Sequence, residues 1–239
     1  INVSWIHFLS KMADNPKDWN QQKIGELTYQ SEVKEFNEPG GMMDQYATAM
    51  GHLIYLQSEP GISIQLLKPN LGSFVLGDSN EPKDTIDVLK RCRDSQQKIF
   101  QKLKSKNPKL NINNCDKNLD LSDLKTNEIE LYNGMIQNRD ILKRVLPELE
   151  KDEPNHRFIG ELLSEHHTIL RDVLQVSTPK IESMIDAAMD AGALGGKING
   201  SGGGGCMFAY APNEPEKVAE AVKKVAGDTH IIHSDEGTK

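Results

Sequence analysis

A chain of 239 residues, 37% hydrophobic and 26% charged, holds enough apolar mass for one large domain or two small ones at ~150 residues per domain. Its 28 basic and 35 acidic residues give a net charge of −7, which argues against a binder of nucleic-acid backbones, and no apolar run approaches the ~18 residues of a membrane span. Three scattered cysteines, Cys92, Cys115 and Cys206, suit neither a disulfide framework nor a zinc cluster and fit a reducing, cytoplasmic setting.

Ile1, Val3, Trp5, Ile6, Phe8, Leu9 and Met12 lie close to one helical stripe. No capping residue precedes it, so the pattern reads as a helix entered midway, with its start expected upstream of Ile1. A second helix is predicted over about residues 21–36, stopped by Glu38-Pro39-Gly40-Gly41, where proline and paired glycines forbid helix. A short helix over residues 42–50 follows, closed by Gly51. Residues 53–56 and 62–67 read as strands around a Glu59-Pro60-Gly61 turn, and residues 73–76 as a third strand.

The pattern then turns helical over residues 82–103, 127–149, 154–174 and 179–191. Between the first two, the polar, Asn-rich stretch 104–123 reads as a surface excursion. Thr178-Pro179 supplies a cap with a first-turn proline, and Gly192 a stop. Strands at 194–199, 206–211 and 229–233, with a helix at 214–225, complete the chain. Counted from residues 73–76, the order strand, helices, strand, strand, helix, strand is that of a ferredoxin-like split βαβ unit. The expected class is α+β, with a boundary near Leu71. Residues 1–70 are expected to form the remainder of a first domain, and residues 71–239 a ferredoxin-like second domain with extra helices.

Eight of the 19 glycines fall between Gly192 and Gly205. Gly200-Ser201-Gly202-Gly203-Gly204-Gly205 has the letters of a dinucleotide fingerprint, but that motif must open a helix, and Cys206-Met207-Phe208-Ala209-Tyr210 reads as a strand. A P-loop fails as well, because Lys197 is followed by Ile198 and not by a hydroxyl residue. What remains is a glycine bend between two strands, either a loose turn or a loop whose bare backbone closely approaches an anionic ligand or another loop. The entropy lost in ordering four consecutive glycines favours close approach.

Asp44 follows the Pro39-Gly40-Gly41 turn at the start of a short helix, where an acidic residue ordinarily serves as a cap or dipole partner. Taken together, the two segments carry more. Gly41-Met42-Met43-Asp44-Gln45 resembles the G-I-M-D-Q motif of galactokinases, and the run from Lys197 to Cys206 resembles the third motif of the same superfamily. That superfamily comprises the galactokinase, homoserine kinase, mevalonate kinase and phosphomevalonate kinase (GHMP) enzymes. Ser164-Glu165-His166-His167-Thr168-Ile169-Leu170-Arg171-Asp172 and Val176-Ser177-Thr178-Pro179 resemble galactokinase segments in the same order.

The resemblance implies a GHMP kinase fold and phosphoryl transfer from ATP, with Mg2+, to a small alcohol or sugar. Asp44 then matches the carboxylate that takes or orients the hydroxyl proton. Gly40 and Gly41 lie beside the substrate. Gly200, Ser201, Gly202, Gly203 and Gly204 fold over the phosphates. Glu32, twelve residues before Asp44, matches the Mg2+ ligand, with Glu35 as the alternative. His166 and His167 read as packing or surface residues within a helix, and Cys206 as a core thiol.

Two departures qualify the resemblance. Asp78-Ser79-Asn80-Glu81-Pro82-Lys83 replaces the run that galactokinases carry after the corresponding strand, and Thr85 stands near their sugar-contacting Tyr. The acceptor is therefore open between a sugar and a mevalonate-like alcohol. The superfamily's first motif and its second, a Gly-Ser-rich phosphate loop, do not occur in the sequence. Without that upstream segment the isolated chain is expected to bind ATP poorly and to lack kinase activity. A kinase-like sensor that keeps the pocket for a regulatory purpose is the reading from another class.

Overall fold

A computed structural model describes residues 1–38, 40–83, 85–116 and 118–238; the side chains of Thr85, Ile86, Asp87 and Leu89 are outside the description. Pro39 of the predicted turn and the Thr85 side chain thus lie outside the described residues. The chain divides into two compact units, Ile1–Pro69 with Ser234–Lys239, and Asn70–His233.

The first unit contains helices α1 (Asn2–Met12), α2 (Gln21–Tyr29) and α3 (Met43–Met50) and the hairpin β1 (Leu53–Gln57) and β2 (Ser63–Leu67). Asn20 caps α2 by accepting from the Lys23 N–H, and Val3, Ile24 and Ala49 form the small core joining the three helices. Gly25 lets α2 approach α3 closely, since a Cβ there would stand 3.1 Å from the Tyr46 Cα. The last residues, expected with the second domain, return to this unit. Thr238 donates to the Ala49 carbonyl at 3.1 Å, and its own carbonyl accepts from the Gln21 amide at 2.9 Å.

The second unit is built on a four-stranded antiparallel sheet of β3 (Phe74–Asp78), β4 (Gly195–Ile198), β5 (Cys206–Tyr210) and β6 (Asp228–Ile232), in the spatial order β4-β5-β3-β6. This is the ferredoxin-like order expected from the sequence. Helices α4 (Thr85–Lys106), α5 (Thr126–Leu149), α6 (His156–Thr168) and α7 (Pro179–Asp190) lie between β3 and β4, and α8 (Pro215–Val225) precedes β6. Alternation along the strands sends Val75, Ile198, Met207 and Ala209 to one face, where they pack with Ile181, Met184 and Ile185 of α7 and Val218 and Val222 of α8. Phe74, Phe208 and Tyr210 occupy the other face, with Phe74 stacked on Tyr210 at 4.8 Å between ring centroids.

The stretch 104–123 is more than a surface excursion. Its Leu110 and Cys115, with Leu124 just beyond it, are buried together with Ile99 and Leu103 of α4 and Tyr132 and Ile136 of α5, making a second small core. The asparagines explain how so polar a stretch folds: Asn111 Oδ1 accepts from the Asn113 and Asn114 N–H groups, and Asn114 Oδ1 accepts from the Asn111 N–H. Arg139 then ties the Ile112 and Cys115 carbonyls to α5.

Candidate functional site

In the first unit the sequence-predicted residues gather at the junction of α2 and α3. Asp44 stands in the first turn of α3, exposed, where no side chain caps the helix. The first N–H groups of α3 have no helical partners, and Asp44 is the acidic residue of that turn. Gly41 is exposed just ahead of it, with open space where a Cβ would be, and Gly40 is half-buried near Val33. Helix α2 does not stop at Tyr29 but widens into a π-helical turn over Gln30–Lys34, closed by the Glu35 N–H donating to the Gln30 carbonyl at 2.9 Å.

That turn carries Glu32 to α3. Its half-buried carboxylate accepts from the Gln45 amide at 2.6 Å and from the Asn2 amide at 2.5 Å. Gln45 is buried, and its Oε1 has no hydrogen-bond partner among the described residues. An orphan acceptor beside a carboxylate marks a polar place that protein groups alone leave incomplete. Glu35 is exposed. No cluster of three or more His, Cys, Asp or Glu side chains suited to a metal occurs among the described residues. Mg2+, which is held by one or two carboxylates together with water and phosphate oxygens, needs no such cluster, and Glu32 fits it as a single hard ligand.

In the second unit the glycine bend is packed, not loose. Gly200, Gly202, Gly203, Gly204 and Gly205 all have positive φ, between 72° and 114°, a backbone that side chains with a Cβ rarely adopt. Two segments hold the loop. On one side, the Gly203 N–H donates to the Val176 carbonyl at 2.7 Å, and a Cβ on Gly202 would stand 2.5 Å from the Val176 Cβ. On the other, the Ser79 N–H donates to the Gly205 carbonyl at 2.9 Å, and a Cβ on Gly204 would stand 2.9 Å from the Pro82 carbonyl oxygen. Thr178 Oγ1, the cap of α7, also donates to Glu81 at 2.5 Å, joining the two segments. Ser201 is half-buried in the bend.

His167 is buried and structural. Its Nδ1 accepts from the Ile198 N–H at 3.3 Å, which leaves Nε2 to carry the proton and donate to Glu182 at 2.9 Å. Burial raises the affinity of Glu182 for a proton, but hydrogen bonds from Ser177, His167 and Arg171 outweigh it and hold the carboxyl below its ordinary value. His166 differs: burial, with Lys197 and His167 nearby, pushes it down to about 4. Burial also pushes Lys197, which lies over the Phe208 ring at 5.1 Å, down to about 8.

These values give a sign for stability against pH. An unfolded chain protonates its histidines near 6.5 whereas folded His166 stays neutral, so its contribution is complete above about 6.5 and is lost as pH falls toward 4. Within that window His166 adds up to about 1.4 kcal/mol of slope per pH unit. Urea titrations at several pH values should show a shallower acid slope for His166→Leu than for the parent. An unchanged slope would refute this account of His166.

Comparison with known proteins extends the picture. Residues 145–228 match the family described as GHMP kinases C terminal. The mevalonate kinase of Pyrococcus furiosus is 46% identical over 97 residues, 40% of this chain and 28% of that protein. The mevalonate kinase of Pyrococcus abyssi is 27% identical over 236 residues, 97% of this chain and 59% of the relative, and the galactokinase of Bacillus subtilis is 25% identical over 223 residues, 83% and 55%. The chain thus spans a little more than half the length of the relatives that it matches along most of its extent. Lactococcus lactis galactokinase, solved with galactose, superposes with a TM-score of 0.71 at 18% identity, covering 99% of this chain and 65% of the other. The L. major mevalonate kinase, solved with R-mevalonate, gives 0.56 at 18% identity, covering 93% and 60%. The paired sequence motifs, the ferredoxin-like sheet and these matches agree: the chain has the GHMP kinase fold and belongs to the GHMP kinase superfamily.

Proposed function

We propose that this chain carries the acceptor-side carboxylate and the glycine-loop half of an ATP-dependent kinase for a small-molecule alcohol. The observation that bears most of the weight is the packed glycine loop, five glycines at positive φ clamped between Ser79–Pro82 and Val176–Thr178. Phosphoryl transfer requires little covalent chemistry from a protein; it requires positioning, neutralised charge and a base near the attacking oxygen. In this reading the Asp44 carboxylate accepts the hydroxyl proton of the acceptor. Gly40 and Gly41, bare of side chains, leave room for that acceptor beside the start of α3. The backbone of Gly200–Gly204 lies against the phosphates. Glu32 rather than Glu35 serves as the Mg2+ ligand, supported by its bond to Gln45, the neighbour of Asp44 in α3. Bound Mg2+ would offset the negative charge of the phosphates.

Two acceptors are each favoured by a specific observation. Gly41-Met42-Met43-Asp44-Gln45 and the galactokinase superposition favour a sugar hydroxyl. The 46% identity with the Pyrococcus furiosus enzyme favours mevalonate. The complete gene product, assayed for ADP release with ATP, Mg2+ and a panel including galactose, other hexoses and mevalonate, should turn over one of them above the ATP-only rate. No stimulation by any member would remove the kinase reading.

A further inference from the structure

The segment between β3 and α4 brings to the glycine loop a cation that none of the motifs contains. Lys83 follows Glu81-Pro82, which line Gly204, and its side chain runs along the loop. A Cβ on Gly205 would stand 3.2 Å from Lys83 Cδ, and one on Gly200 would stand 2.9 Å from Lys83 Nζ. The residue is exposed, and among the described residues its ammonium bonds only the Asn199 carbonyl, at a long 3.5 Å. No described carboxylate lies within ion-pair distance of it, and Glu81 is engaged by Thr178. Meanwhile the N–H groups of Gly202, Gly204 and Gly205 meet no acceptor among the described residues, whereas that of Gly203 is taken by Val176. Backbone donors on left-handed glycines with no described acceptor, beside an ammonium with no described carboxylate partner, are the elements of an anion-binding concavity.

We propose that Lys83 is a phosphate-binding residue of this loop, its ammonium meeting a phosphoryl group that lies against the Gly200–Gly205 backbone. The proposal deepens the kinase reading above and rests on it for the identity of the phosphoryl group. The amine is placed to leave the Asn199 carbonyl and bond a phosphate oxygen, an exchange of a weak neutral acceptor for a charged one.

The test is calorimetric titration of the complete gene product with inorganic pyrophosphate, comparing the parent, Lys83→Met and Lys83→Arg. Lys83→Met should weaken binding about tenfold or more, Lys83→Arg should restore most of it, and added salt should weaken the parent more than Lys83→Met. Equal affinity of parent and Lys83→Met, or no binding by the parent, overturns the proposal. Loss of affinity in both variants with faster hydrogen exchange at the Gly203 amide makes Lys83 a prop for the loop and also overturns it. If Lys83→Met loses its melting transition, Lys83→Gln is read in its place. ADP release measured in parallel separates the two ideas. Lys83-dependent binding without turnover of any acceptor removes the kinase and leaves the site; turnover with Lys83-independent binding does the reverse.

Discussion

If the proposed role of Asp44 holds, replacing it by Asn in the complete gene product will lower phosphoryl transfer by about two to four orders of magnitude while ATP affinity stays within about twofold of the parent. Asn has the size and shape of Asp and can hydrogen-bond an acceptor hydroxyl, but it cannot take the proton that must leave as the new P–O bond forms. The loss therefore falls on kcat and not on binding. The competing role is structural: an acidic residue in the first turn of α3, interacting with the helix dipole for about 0.3–1 kcal/mol. Asp44 is exposed and α3 has no side-chain cap, so removing its charge subtracts only that amount. The two roles give opposite results. A base leaves the melting temperature nearly unchanged and removes turnover; a dipole partner lowers the melting temperature slightly and leaves turnover intact. Steady-state kinetics of Asp44→Asn beside its thermal melt decides between them.

The sequence was most informative where a local signal and a tertiary demand coincide. The strand and helix order of the second unit follows from alternation and capping: Thr178 and Pro179 start α7 as expected, and Val75, Met207 and Ala209 alternate into the core. The glycine loop was legible because five left-handed residues require glycine for a reason visible in composition. Periodicity could not show the two π-helical turns, Gln30–Lys34 and Ile169–Val173, since each is a single five-residue segment, too short to set a period of its own. The first turn carries Glu32, whose bond to Gln45 supports its place in the proposed site. The core under residues 104–123 was hidden because its few apolar residues are separated by asparagines whose side chains replace secondary structure. Lys83 was hidden for another reason: contact between residues 83 and 200 leaves no trace in either segment.

Gly160→Ala will destabilise the second unit by about 3 kcal/mol or more, although Gly160 lies inside helix α6. Helix propensity alone gives the opposite sign, since Ala in a helix interior is favoured over Gly by about 1 kcal/mol. Packing decides against it. Helix α6 crosses the edge strand β4 backbone to backbone: a Cβ on Gly160 would overlap the Leu194 carbonyl, and a Cβ on Gly195 would overlap the Gly160 carbonyl. Neither obstacle is a side chain that can turn away, so α6 must lift from the sheet. Lifting it disturbs the seat of Leu162 and the bond between His167 and the Ile198 N–H, two residues before the glycine loop. Gly134→Ala in α5 is the matching control. There the nearest atom is Val173 Cγ1 at 2.9 Å, a side-chain methyl that can shift, so propensity and crowding nearly cancel and the change should stay within about 1 kcal/mol. Urea unfolding of the three proteins should place Gly160→Ala well below the other two in midpoint at an unchanged m-value. A Gly160→Ala midpoint at or above the parent would mean that α6 and β4 do not meet backbone to backbone, and the strand end that sets the glycine loop would need another support.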